Sequence, residues 1–177
     1  YEAHRRSYIL SDYNETQLRR EFIDPLFRAL GWDVDNNQGF AEAYKEVVHE
    51  QPVKFRGQDT NTKFIDYSFR LGGTMKFIVE TKKPSVKIED DAKSALQVRR
   101  YAWNSKLTLS ILTNFEEWAV YDCRIKPEHN DQALRGRIKY FHYTDLPKEW
   151  SYLSSVFTKK AIQQGSFDEY ATENKGK

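Results

Sequence analysis

Three side chains near the middle of the sequence, Asp66, Glu80 and Lys82, have the types and spacing to hold a cation and activate water. They fall on two alternating stretches, Phe64–Leu71 and Met75–Lys82, joined around Gly72–Gly73 in the pattern of a β-hairpin. In the first stretch Ile65, Tyr67, Phe69 and Leu71 share one face and Asp66, Ser68 and Arg70 the other. In the second, Met75, Phe77, Val79 and Thr81 alternate with Lys76, Ile78, Glu80 and Lys82. Placing both apolar sets on one side of a sheet requires opposed residues to have indices of equal parity. A three-residue loop of Gly72, Gly73 and Thr74 provides this, setting Leu71 against Met75 and Asp66 against Glu80. A two-residue loop would send the carboxylates to opposite faces.

Opposed side chains start about 4.5–5.5 Å apart at Cβ. Two carboxylates at that range repel unless protonated, neutralised by a cation or well solvated. A divalent ion with oxygen ligands satisfies the pair, and Lys82, two residues along on the same face, can meet a phosphate or a metal-bound water. The same residues are also compatible with a solvated polar sheet face.

The elements that would position this hairpin are legible in outline. A helix over roughly Asn14–Leu30 carries Leu18, Phe22, Leu26 and Ala29–Leu30 at three- and four-residue spacing, with Asn14 as N-cap, a kink at Pro25 and a stop at Gly31. The chain then reads as extended to Lys63, with a loop at Gln58–Thr62. A helix over about Asp90–Ser105 follows the hairpin, then strands at Leu107–Thr113 and Glu117–Cys123, a polar loop over Pro127–Gly136, a strand at Arg137–Tyr143 and a helix at Tyr152–Gln164. The tail from Gly165 is polar. Helices alternating with strands predict an α/β (mixed α+β) domain, a central mixed β-sheet flanked by helices.

Composition narrows the classes. The 177 residues fit one domain, and 11 Phe, 11 Tyr and 4 Trp supply more core material than a disordered chain carries. No apolar run approaches the roughly 20 residues of a membrane span, and the first residues lack a signal-peptide pattern. The single cysteine, Cys123, excludes an internal disulfide framework and suits a reducing compartment; its place at the end of a strand reads as a buried small residue. His4, His49, His129 and His142 lack metal-ligand spacing and read as structural or solvated. The net charge of +2 argues against indiscriminate coating of polyanions, yet Lys76–Lys106 holds eight positive against four negative residues, a local +4.

Asp66 followed by Glu80-Thr81-Lys82 resembles the D…(D/E)XK core of the PD-(D/E)XK nuclease superfamily, with Ile65 in the place of the nominal proline. Glu15 matches an acid that this family often supplies from its first helix. Gln97 and Tyr101 match the Q-x-x-x-Y pair of one branch and, four residues apart, share a helix face. The stretches NETQLRREFIDPLFRALGWDV, FIVETKKPSV and QVRRYAWNSKLTLSILTNFEEWAVYD resemble the N-terminal nuclease domain of restriction-modification enzymes, both the Type I motor-subunit nuclease and Type IIG-like fused nuclease–methyltransferases. The likeness spans about Asn14–Asp122 and extends more loosely through the C-terminus. It implies a restriction-endonuclease-like nuclease domain over 1–150, with its core at about 14–122. Over 151–177 it implies a C-terminal helix and the start of a connector to further domains.

The resemblance also implies a cytoplasmic, Mg²⁺-dependent DNA endonuclease, with Mn²⁺ able to substitute. Asp66 and Glu80 would hold the metal with the Thr81 carbonyl, Glu15 would ligate it or hold a coordinated water, and Lys82 would serve the attacking water. Gln97 and Tyr101 would position Lys82 or contact DNA, while Lys83, Lys93, Arg99 and Arg100 are candidate phosphate contacts. Zinc-finger, helix-turn-helix, P-loop and methyltransferase signatures are absent from these residues, so specificity, methylation and motor functions would lie on other domains or subunits. The alternatives are a catalytically silent DNA-binding module of the same fold, or a scaffold domain whose polar sheet face is incidental.

Overall fold

In a computed structural model of the chain, described over residues 1–10, 12–53 and 62–177, one six-stranded sheet runs in sequence order. The strands are β1 (Val47–Val53), β2 (Lys63–Leu71), β3 (Thr74–Thr81), β4 (Leu109–Thr113), β5 (Glu117–Asp122) and β6 (Arg137–His142). Only the β3–β4 pairing is parallel; the other four are antiparallel. A parallel pair needs a crossover, and α4 (Ala92–Asn104) supplies it. The architecture is the mixed α/β sheet expected. β1 is an addition, since its Pro52 and polar centre (VVHEQPV) hide it from a hydrophobic-alternation reading. The expected loop at Gln58–Thr62 lies largely outside the described residues.

Alternation along the strands feeds two cores. Tyr67, Phe69, Phe77, Val79, Ile111, Trp118 and Val120 pack on one face with residues from the first helices and the C-terminal helices. Ile78, Leu112, Ala119 and Tyr121 pack on the other beneath Ala95, Val98 and Tyr101 of α4. The sheet is therefore sandwiched, and α4 contributes a helical layer on the polar side of the hairpin.

The N-terminal helical run departs from simple periodicity. After α1 (Arg5–Leu10), Asn14 caps α2 (Glu15–Leu18) through a capping box with Gln17. A π-helical turn, Arg19–Ile23, then leads into α3 (Asp24–Ala29). Pro25 has no N–H to offer the helix, and just before it the Asp24 N–H reaches back five residues to the Arg19 carbonyl. The extra residue shifts the buried stripe from the expected Phe22 and Leu26 to Ile23 and Phe27, leaving Phe22 and Leu26 partly buried.

The hairpin also differs in its turn. Leu71 pairs with Thr74 across a two-residue Gly72–Gly73 loop, both glycines at positive φ, and Arg70 pairs with Met75. An irregularity between Phe69 and Arg70 leaves Lys76 as one extra residue on β3, after which Phe69 faces Phe77 and Tyr67 faces Val79. The bulge restores the parity that the expected three-residue loop would have given. It also turns Met75 toward the α4-side cluster instead of the Phe77 face. Ile65 likewise joins Ile78, not Tyr67 and Phe69, so strict alternation along β2 ends at Asp66.

Near the C-terminus the expected Tyr152–Gln164 helix is two helices, α5 (Leu146–Phe157) and α6 (Lys159–Gln164). Between them Thr158 caps the second by accepting the Ala161 N–H. The polar-looking tail forms α7 (Ser166–Glu173), which buries Phe167 and Ala171 against the same core. The Arg124 guanidinium donates to the Ala171 carbonyl and the Gly176 N–H to Asp122, so residues 166–176 pack on this domain.

Candidate active site

The β2–β3 ladder ends at Tyr67–Val79, and its register carried one residue further sets Asp66 against Glu80. There the side chains take over from the backbone. The Asp66 N–H points at Glu80 Oε2 at 3.5 Å, while Asp66 Oδ2 accepts the Thr81 N–H at 2.7 Å and the Thr81 hydroxyl at 2.6 Å. Asp66 Oδ1 faces Arg19 Nη1 at 3.3 Å. Glu80 is 3% exposed, and its Oε1 accepts 2.6 Å from Gln97 Nε2. The same amide lies 3.3 Å from the Tyr101 hydroxyl, so Tyr101, one turn further along α4, meets the Gln97 amide that reaches Glu80.

The start of α4 is fixed independently. Asp91 caps it by accepting the Ser94 N–H, and the loop before it is pinned by Glu117, which accepts the Ile88 and Glu89 N–H groups and the Asn114 amide. Burial alone would raise the Glu117 carboxyl. The bonds from Tyr140, Ile88, Asn114 and Glu89 outweigh it and hold the group below its ordinary range.

The electrostatics of the pair run the other way. Burial, reinforced by the Asp66 charge, pushes the Glu80 carboxyl up to about 8, against the opposing pull of Lys82. Glu15 is also raised, by burial first, with Lys82 opposing and Asp66 adding. Tyr101 is raised by burial and by Glu80. Asp66, Glu80, Lys82 and Glu15 thus lie within reach of one another's charge, and burial leaves Glu80 and Glu15 with a deficit of solvation for their own. That deficit fits a divalent cation with oxygen ligands. Among the described residues no three His, Cys, Asp or Glu side chains are arranged to hold a metal. Asp66 and Glu80 are the two carboxylates that this geometry brings together, and Glu15 acts on Glu80 by its charge.

Of the basic residues singled out, Lys83, Lys93 and Arg100 are exposed. Lys83 acts on Glu15, and Arg100 acts on Tyr101. Arg99 is a correction. It is fully buried, with Nη1 2.7 Å from Asp131 and Nη2 3.3 Å from the Ile125 carbonyl, and ties α4 to the 124–136 loop, out of reach of a nucleic acid. Cys123 is buried beside the Ser110 hydroxyl at 2.9 Å, and burial raises its thiol to about 12.

Two participants escaped the sequence reading. Arg19, 9% exposed, contacts Asp66, and Glu50 on β1 contacts Arg19 at 3.4 Å. The available signal for Arg19 was its spacing: four residues after Glu15, it shares that acid's helix face.

Residues 12–129 match the family described as the Type I restriction enzyme R protein N terminus (HSDR_N). The chain belongs to this family. This member is also 41% identical over 170 residues to the Type II restriction enzyme and methyltransferase RM.Eco57I of Escherichia coli, covering 96% of the chain and 17% of that protein. The chain therefore spans about a sixth of the length of this relative. Among solved structures, a fragment of a putative HsdR subunit of a type I restriction enzyme from Vibrio vulnificus YJ016 aligns with this family member at 18% identity. That alignment has a TM-score of 0.48 and covers 81% of the chain and 26% of the fragment. No described helix is long and apolar enough to cross a membrane.

Proposed function

We propose that this chain is the Mg²⁺-dependent endonuclease domain of a restriction-modification enzyme, of the PD-(D/E)XK type, hydrolysing DNA phosphodiester bonds. The observation that carries the reading is the pairing of half-buried Asp66 with buried Glu80, braced by Gln97 and under the charge of Lys82. Asp66 and Glu80 would hold Mg²⁺ (or Mn²⁺ in its place), with the Thr81 carbonyl as a third oxygen. The chemistry such an ion would supply there is polarisation of the scissile phosphate and a lowered pKa of water. Thr81 fixes the rotamer of Asp66 through two hydrogen bonds, and Gln97 does the same for Glu80 through one. The Lys82 ammonium orients the attacking water and offsets charge developing on the phosphate. Glu15 holds a further water, and Lys83, Lys93 and Arg100 draw the DNA backbone toward the site.

Sequence recognition, methylation and any motor would come from other domains or subunits, in keeping with the share of RM.Eco57I that the chain covers. The test is DNA cleavage by the full-length protein with Mg²⁺ or with chelator, as wild type, Asp66→Ala and Lys82→Ala. The expected result is cleavage by wild type with Mg²⁺ only. Equal cleavage by all three contradicts the assignment. Salt-dependent DNA binding without Mg²⁺-dependent cutting in wild type points to a silent binding module instead.

A further inference from the structure

We infer that Arg19 is a positioning residue that shares its guanidinium between Asp66 and Glu50 and passes to Glu50 when a divalent cation occupies the Asp66–Glu80 pair. The inference rests on the metal-dependent reading above. Charge-assisted N–H···O bonds settle near 2.7–2.9 Å, as Arg28–Asp35 and Arg99–Asp131 do here at 2.7 Å. Arg19 instead lies 3.3 Å from Asp66 and 3.4 Å from Glu50, committed to neither, while its Nη2 is tethered 3.2 Å from the Thr16 hydroxyl. The two oxygens of Asp66 are not equivalent. Oδ2 is taken by two bonds from Thr81, whereas Oδ1 faces Arg19 and is the oxygen a metal must share or take. A cation on Oδ1 repels the guanidinium, and the Glu50 carboxylate, with its side chain 67% exposed, is the adjacent acceptor.

The backbone supports a dedicated role for Glu50. It sits opposite Asp66, between the His49–Tyr67 and Gln51–Ile65 pairs, with φ of +54°. That conformation costs a residue other than glycine about 1–2 kcal/mol. A strained position of this kind, carrying its carboxylate to an arginine that touches Asp66, is of the sort found at functional sites.

The experiment is Mn²⁺ titration calorimetry on the full chain, independent of cleavage. Glu50→Gln should weaken Mn²⁺ binding about fivefold and Arg19→Met tighten it about fivefold. Arg19→Lys should stay near wild type. In the Arg19→Met background, Glu50→Gln should change little, because Glu50 acts by receiving Arg19. Equal weakening in both backgrounds means that Glu50 acts directly on the cation and overturns the proposal. If Arg19→Met does not fold, ¹⁵N NMR of the wild-type Arg19 guanidinium decides. Its resonance should move on Mg²⁺ saturation, and an unmoved resonance overturns the proposal. Failure of wild type to bind Mn²⁺ overturns the metal reading itself, whereas Mn²⁺ binding indifferent to Glu50 overturns only the exchange.

Discussion

Glu80 is held in a place where its own charge is unwelcome. Its carboxyl is pushed up to about 8 by burial and by Asp66. Because the folded-state value lies above that of the unfolded chain, the group favours the folded state below the ordinary carboxylate range, and that advantage is lost as pH rises through about 8. Thermal unfolding in chelator should therefore show stability falling from pH 5 to pH 9, and Glu80→Gln should flatten that slope. Since a metal needs the ionised form, Mg²⁺ should raise the melting temperature more at pH 9 than at pH 6. Gln97 sets where Glu80 points through its 2.6 Å bond. Gln97→Ala should reduce Mg²⁺ affinity or cleavage about 10–100-fold with little loss of fold, read by titration beside circular dichroism. At this scale strand parity set Asp66, Glu80 and Lys82 on one face and helix spacing set Gln97 and Tyr101 on another, while the family resemblance joined the two sets. The sequence could not separate Arg99 from Arg100, because neighbouring residues differ by about 100° around a helix and only packing says which of them is covered.

At the scale of elements, two one-residue insertions compensate for their surroundings. The opposition of Asp66 and Glu80 was legible because it depends only on the two-residue period of a strand. The turn was not, since a two-residue loop with a bulge at Lys76 returns the same parity as a three-residue loop without one. The π-helical turn before Pro25 moves the buried stripe by one residue, which is why an uninterrupted helix period selected Phe22 and Leu26 in place of Ile23 and Phe27. β1 stayed hidden because its pattern carries too few apolar positions, and with it went Glu50. Glu50→Gly should relax the positive-φ position and raise the unfolding free energy by about 1 kcal/mol in urea titration, its exposed ion pair being worth little. Asn14→Ala should lower it by about 1 kcal/mol through loss of the capping box.

Across the whole molecule, stability and the proposed DNA contact fall to different cations. Arg99 joins α4 to the 124–136 loop, and Arg99→Ala should destabilise the domain by about 3 kcal/mol by leaving Asp131 without its partner. Arg100→Ala should leave the melting temperature within a degree or two. It should weaken DNA binding uniformly across sequences and reduce its salt slope by about one, read by fluorescence anisotropy. The small net charge of +2 is then an average over an acidic pocket and a basic surround, not evidence against a polyanion partner. The central claim is that Lys82 does chemistry beside a metal held by Asp66 and Glu80. Single-turnover DNA cleavage by the full-length protein, at saturating Mg²⁺ and DNA, tests it most directly by comparing wild type with Lys82→Ala. The rate should fall by about 10²–10⁴ with Mn²⁺ affinity no weaker than in wild type; an undiminished rate would overturn the role given to Lys82.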